Sequence, residues 1–291
     1  MSGSPSEPDL SVVVGSNGGA GTVEQCLAAL ESQRDGAEVI VCEPRLSPPE
    51  VQARFPWARF VERRGALVPE LWSAGIEQSQ GRLVALTISP MVPASDWIES
   101  VRAQQERHDA VAGAIEPAPG LRISDWAEYF CRYLRDMLPF EAHECPDLPG
   151  DNSAYKRELL ERTRDLHRDG FWEPVVNARL AEQGVVLWHT PEIVVRQGRS
   201  AGARAFTRQR LIHGRAHGSQ RGALFGKRRN LVGVIASPLV PLVLTARLVR
   251  QALIKRRNRA RVLLALPYVL LFNAAWGLGE ARGHLDALRG S

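Results

Sequence analysis

Apolar positions run almost unbroken through Leu10–Val14, Ala37–Cys42, Leu83–Ile88 and Ala110–Ile115. Each run is too short for a stable helix. The runs are continuous rather than alternating, which predicts strands covered on both faces, as in parallel sheets. Arg59–Val61 reads as a further short strand. Between these runs the period changes to that of a helix. Thr22 stands as an N-cap with Gln25 three residues on, and Val23, Leu27 and Leu30 follow at helical spacing to about Gln33. Val68–Gln80, closed by Gly81, and Asp96–Gln105 read as two more helices. Strands alternating with helices predict an α/β fold, a mainly parallel sheet sandwiched by helices and joined by right-handed crossovers.

After Pro117 the pattern loosens. Ile123–Met137 and Ser153–Thr163 read as amphipathic helices. Pro174 suits the first turn of a short helix, Val175–Glu182. Val185–His189 and Glu192–Val195 read as strands or extended segments. The last ninety or so residues differ in kind. Leu231–Ala246 and Val262–Leu278 are uncharged and apolar, each at or just below the length needed to span a bilayer. Three regions follow: a disordered tail over 1–9, an α/β domain over 10–198, and a basic, apolar helical region over 199–291.

Charge sharpens this division. The chain of 291 residues carries 37 Lys and Arg against 32 Asp and Glu, a net charge of +5. Fifteen of the cations, and no Asp or Glu, lie between Ala201 and Arg261, leaving 22 against 32 elsewhere. So uneven a distribution implies a polyanionic surface facing the basic part. Nucleic acid is one such surface, but nothing in its recognition calls for apolar runs like LVGVIASPLVPLVL. Cationic clusters flanking apolar helices suit anionic lipid headgroups, so the expected partner is anionic membrane lipid and no nucleic acid. A transmembrane hairpin would put Arg247–Arg261 on the far side, against the positive-inside tendency, and Pro238, Pro241 and Pro267 interrupt the runs. A re-entrant or interfacial arrangement fits better.

The N-terminal MSGSPSEPDL has no basic or apolar leader character, which places the α/β domain on the cytosolic side. Cys26, Cys42, Cys131 and Cys145 form no CxxC pair, against a zinc site or a disulfide framework. Gly15, Gly18 and Gly21 lie between a strand and a helix, with Glu43 ending the next strand. That is the outline of a dinucleotide-binding motif, although the spacing is GxxGxxG. An NAD(P)-binding protein of Rossmann type is the alternative this leaves open. Trp97 and Trp126 are more often core residues than sugar platforms, and His213 and His217 lack a third metal ligand.

Several segments taken in order resemble the family-2 glycosyltransferases of GT-A fold. LSVVVGSN is similar to that family's first strand and turn, CLAALESQ to its first helix, and EVIVCEP to the strand ending at the nucleotide base. SAGIEQSQGRLVAL and PASDWIE flank the position of its metal motif. GDNSAYKRELL and GFWEPVVNARLAEQG resemble its acceptor-side and catalytic-base segments. The resemblance implies a hexosyltransferase taking a nucleotide-sugar donor, with a lipid-linked or growing-polysaccharide acceptor at the cytosolic membrane face. It assigns Glu43, Ser16 and Ser89 to the donor side, Asn152, Asp151 and Trp172 to the acceptor side, and Glu173 as catalytic base. The chain departs from the family at Ile88-Ser89-Pro90, where the metal-binding Asp-x-Asp should stand. A divalent magnesium or manganese ion therefore loses its usual anchor. Leaving-group charge would then fall to cationic side chains, to a metal recruited by Glu43 or Asp96, or to nothing, in a catalytically inactive scaffold. Asp96 also has the simpler role of capping its helix.

Overall fold

The computed structural model describes residues 8–16, 19–198, 202–224 and 226–290. The tail expected over 1–9 and the Gly18 of the glycine-rich turn lie largely or wholly outside them. The chain runs β1 (Leu10–Gly15), α1 (Ala20–Leu30), β2 (Ala37–Glu43), α2 (Pro49–Arg54), β3 (Ala58–Glu62), α3 (Val68–Gln78), β4 (Leu83–Ile88), β5 (Met91–Pro93), α4 (Trp97–Gln105) and β6 (Ala110–Pro117). It continues through α5 (Ile123–Tyr133), β7 (His143–Glu144), β8 (Asn152–Lys156), α6 (Arg157–Arg162), α7 (Arg164–His167), α8 (Glu173–Glu182) and β9 (Leu187–Gln197). Four helices close it: α9 (Ala203–Leu224), α10 (Lys227–Ala236), α11 (Val240–Lys255) after a 3-10 turn at Ser237–Leu239, and α12 (Arg259–Gly290).

Two compact units result. The first contains the described residues up to Glu116 together with Asp136–Gly198. Its sheet has the order β3-β2-β1-β4-β8-β6-β9-β5, with β7 on β9. β3, β2, β1 and β4 are parallel, while β8 runs antiparallel to both β4 and β6. The sheet is therefore mixed rather than mainly parallel. β1 and β4 are buried at every position, as their unbroken apolar runs require. Ser11, buried in β1, is paired: it donates to Glu38 Oε1 (2.7 Å) and accepts from the Gly81 amide (2.8 Å). α3 lies close on β1 because Gly75 faces Val13; a Cβ at Gly75 would come within 2.2 Å of Val13 Cγ1.

Several elements differ from the sequence reading. Asn152–Lys156 is a strand, pairing with β4 from Thr87↔Asn152 to Leu83↔Lys156, so the helix expected over Ser153–Thr163 begins only at Arg157. Burial between two neighbouring strands overrides the helical period of the segment. α1 begins at Ala20, so Thr22 sits in its first turn and Gly19 is the cap. β9 is one continuous strand through Pro191.

The second unit contains Pro117–Arg135 and the described residues after Gly198. The division is therefore not a single cut near 198, because α5 packs with α9 and α12. α9 and α12 touch backbone to backbone through glycines one turn apart. A Cβ at Gly214 or Gly218 would fall 2.3 Å from the Trp276 or Glu280 carbonyl, and at Gly279 or Gly283 2.2 Å from the Leu211 or Arg215 carbonyl. Arg215–Asp286 (2.7 Å) and Arg221–Glu280 (3.7 Å) bridge the same pair. Lys227–Lys255 and Arg259–Arg289 are long and apolar enough to cross a membrane. Large apolar side chains on both stand in the open, Ile235 at 69% and Leu263 at 66% exposure among them.

Candidate active site

The C-terminal ends of the parallel strands bring three loops together. β1 and β4 end in register at Gly15↔Ile88, so Ser16 and Ser89 emerge side by side. Ser16 Oγ donates to Ser89 Oγ (2.9 Å), and Thr22 Oγ1 lies 2.9 Å from the same oxygen. Thr22 also donates to the Gly19 carbonyl at 2.8 Å. Ser16 and Ser89 thus meet, joined by the hydroxyl of Thr22, a residue whose sequence position suggests only a helix cap. Three neutral hydroxyls, those of Ser16, Thr22 and Ser89, gather here beside Pro90. Among the described residues no three His, Cys, Asp or Glu side chains gather to hold a metal. Hard divalent cations take carboxylate and carbonyl oxygens, so the donor set at Ser89-Pro90 does not fit one.

Glu43 ends β2 on the neighbouring strand, buried at 2% exposure. Its Oε2 accepts from the Ser47 amide (2.8 Å) and its Oε1 from the Ser47 hydroxyl (2.9 Å). Burial raises its pKa, and the two bonds from Ser47 pull against that rise. Both oxygens already brace the loop to Ser47. A nucleobase, or the ribose of a dinucleotide, would have to share them.

The residues expected on the acceptor side lie on or beside β8 and α8. Thr87 Oγ1 donates to the Asp151 carbonyl (3.0 Å), tying the Gly150-Asp151 loop to the end of β4. Asp151 is buried at 7% exposure. Glu173 opens α8, preceded by Trp172 as cap residue and followed by Pro174. Its carboxylate reaches back over Gly150: a Cβ there would lie 2.7 Å from Glu173 Oε1 and 2.6 Å from the Trp72 ring. Glycine at 150 is what lets these groups meet. The Glu173 pKa is raised to about 7, first by burial and then by the Asp151 and Asp147 charges, against the backbone amides of Glu173 and Gly150. Trp172, the residue before Glu173 in the chain, is 47% exposed, and its indole Nε1 lies toward Gly170.

Two features were missed in the sequence. Trp72, on α3, spans the site. Its indole N–H donates to the Thr87 carbonyl (2.8 Å), its pyrrole edge fills the space beside Gly15, and its far edge lies under Gly150. A tryptophan on the buried face of a helix gives no signal of this. Below α8, Asn177 donates to Asp147 Oδ1 (2.6 Å) and to the Leu148 carbonyl (3.1 Å), and accepts from the Tyr155 hydroxyl (3.0 Å). This buried network holds the start of α8 against the loop.

Asn152 corrects the sequence reading. It is fully buried. Its Nδ2 donates to the Ala114 (2.9 Å) and Ile193 (3.1 Å) carbonyls, and its Oδ1 accepts from Trp97 Nε1 (2.8 Å). Both amide protons are engaged and the side chain points into the sheet, so Asn152 stitches β8, β6 and β9 rather than meeting an acceptor. Trp97 is the other half of that bond, a core residue. Asp96 precedes α4 without a side-chain capping bond.

The strand order 3-2-1-4 is shared with dinucleotide-binding sheets. The antiparallel β8 that follows is not: a Rossmann sheet continues in parallel. A parallel half joined to an antiparallel half in one sheet, with flanking helices, is a glycosyltransferase-like scaffold of GT-A type. The mannosyltransferase PcManGT from Pyrobaculum calidifontis, solved with GDP-Man and Mn2+, superposes with a TM-score of 0.51 at 19% identity, covering 98% of this chain and 87% of that one. GalNAc-T7, solved with UDP, GalNAc and Mn2+, superposes with a TM-score of 0.51 at 15% identity over 68% of this chain. The match spans 45% of the length of GalNAc-T7. No family profile and no curated protein sequence matches the chain.

Proposed function

We propose that this protein transfers a sugar from a nucleotide-sugar donor to a lipid-linked or growing-polysaccharide acceptor at the cytosolic membrane face, with Glu173 as the base. The observation that carries the reading is the Glu173 carboxylate. It lies over Gly150 near the Trp72 ring, in a glycosyltransferase-like scaffold, with its pKa lifted to about 7. A base is most useful when its pKa lies near the working pH. Enclosure and the neighbouring Asp151 and Asp147 bring an ordinary carboxylate there.

In this reading the acceptor hydroxyl approaches over Trp172 and gives its proton to Glu173 as its oxygen attacks the anomeric carbon. The donor diphosphate leaves toward the ends of β1 and β4. There the N-terminus of α1 carries no acidic residue in its first turn and no side-chain cap. Its free amide ends and positive macrodipole suit a developing phosphate charge, with the hydroxyls of Ser16, Ser89 and Thr22 close by. Both solved neighbours contain a nucleotide and Mn2+; the hydroxyl set at Ser89 makes this chain's donor binding independent of the metal. The apolar surface of α10, α11 and α12, with its cationic flanks, supports the membrane location.

A catalytically inactive scaffold is the second reading, and the replacement of the carboxylate pair by Ser89-Pro90 is the observation that favours it. A panel of nucleotide sugars and NAD(P), with and without Mn2+, scored by thermal shift and by transfer to lipid-linked acceptors, separates the two. Donor-dependent stabilisation with transfer supports the enzyme, since a ligand of the folded state raises its unfolding midpoint. Stabilisation without transfer across the panel supports the scaffold. Stabilisation by NAD(P) alone refutes both.

A further inference from the structure

We propose that the groove between α11 and α12 holds one phosphate-bearing membrane lipid, its chain along the helices and its phosphate between Arg250, Arg256 and Arg259. The inference rests on the membrane location above but not on sugar transfer.

The groove has a volume of about 910 Å3. Its wall on α11 is a single stripe, with Leu242, Ala246, Val249 and Leu253 at intervals of one turn, and Leu270 closes it from α12. From Leu242 to Leu253 the stripe extends about 16 Å, at 1.5 Å per residue. An apolar trough of that length suits a hydrocarbon chain and offers nothing to a nucleotide base. Its mouth is different in kind. Arg250, Arg256 and Arg259 line one end and are exposed. No Asp or Glu occurs between Ile193 and Gly279, so nothing acidic in that stretch of chain offsets them.

The turn itself adds a second, independent observation. Arg256 caps α11 in the left-handed region (φ 53°, ψ 16°), its N–H directed to the Leu253 carbonyl at 3.3 Å. Asn258 follows at φ 55°. Asparagine tolerates this conformation, but at a helix C-terminus it is glycine that usually adopts it. A guanidinium is thus kept at a backbone position that disfavours any β-carbon, at the rim of a cationic mouth. Strain retained in this way points to a use for the side chain. Apolar wall and cationic rim together match the two ends of an anionic lipid.

The test uses the full chain. Flotation with phosphatidylcholine vesicles reads membrane association. Flotation with vesicles that also contain phosphatidic acid reads the phosphate preference, and native mass spectrometry counts retained lipid. We expect one phosphatidic acid per chain. Arg256→Gly should keep or raise the unfolding midpoint, because glycine accepts the turn, while weakening binding to phosphatidic acid vesicles about fivefold at low salt, the value of one cation at an anionic surface. Ala246→Trp, which fills the trough without changing charge, should lower lipid retention. Arg228→Ala, outside the groove, should leave the retained lipid in place. Three results would overturn the proposal: unchanged binding in Arg256→Gly, equal loss in Arg228→Ala, or displacement of the lipid by inorganic phosphate or by an oligonucleotide. Partition onto both vesicles without preference sinks the groove alone. Partition onto neither sinks the membrane location as well.

Discussion

Replacing Glu173 by Gln separates proton transfer from everything else the side chain does. The amide keeps the size of the carboxylate and can still accept from the Gly150 amide. It carries no charge in the enclosed space beside Asp151 and Asp147. The folded pKa of about 7 stands against 4.5 for the free group, so the folded chain holds the proton more tightly than the unfolded one. Stability therefore falls as pH rises from about 4.5 to about 7, and the full penalty is present above that range. At 1.36 kcal/mol per pKa unit the penalty is on the order of 3 kcal/mol, an upper limit because the side chain is only partly enclosed. The Gln variant lacks it. Its thermal midpoint should exceed the parent's at pH 8, and the gap should close toward pH 4. Transfer should fall by about 10²–10⁴-fold while donor-induced thermal shifts are kept. In the parent, the transfer rate should rise through about pH 7 and level off. A variant less stable than the parent at pH 8 would refute the enclosed-carboxylate argument. Unchanged transfer would remove Glu173 from the chemistry.

Asn152→Ala leaves Trp97 Nε1 and two strand carbonyls without their partner, so the unfolding free energy should drop by about 1–3 kcal/mol; acceptor KM should stay the same, measured beside the midpoint. Chelation with EDTA should leave donor-induced thermal shifts nearly unchanged; loss of the shift, restored by Mn2+, would show that the hydroxyl set at Ser89 is not the whole of the donor site. A chain ending at Gly198 retains α5 without α9 and α12, on which it packs, and should aggregate on size exclusion; a soluble monomer would show that the α5 face needs no cover. Gly150→Ala places a Cβ against Trp72 and Glu173, and should lower both the midpoint and transfer, read in the same two assays.

Local sequence pattern determined one half of this molecule. β1, β2 and β4 are buried on both faces, so each announces itself as an unbroken apolar run, and the helices between them keep a clear 3.6-residue period. Charge segregation marked the C-terminal region, whereas Glu173 was pointed to only by the resemblance of its segment to a glycosyltransferase one. What remained out of reach depends on contacts between residues distant in the chain. Asn152–Lys156 carries a helical period and becomes a strand because β4 and β6 flank it. Asn152 turns inward because Trp97, 55 residues earlier, and the carbonyls of Ala114 and Ile193 claim its amide. α5 reads as part of the α/β domain and packs instead on helices more than seventy residues downstream. Trp72 links the two sides of the site only once Gly15 and Gly150 lie against opposite edges of one indole. The raised pKa of Glu173 belongs to the same class: the residue is in the sequence, but the shift comes from enclosure and from two carboxylates brought near by folding.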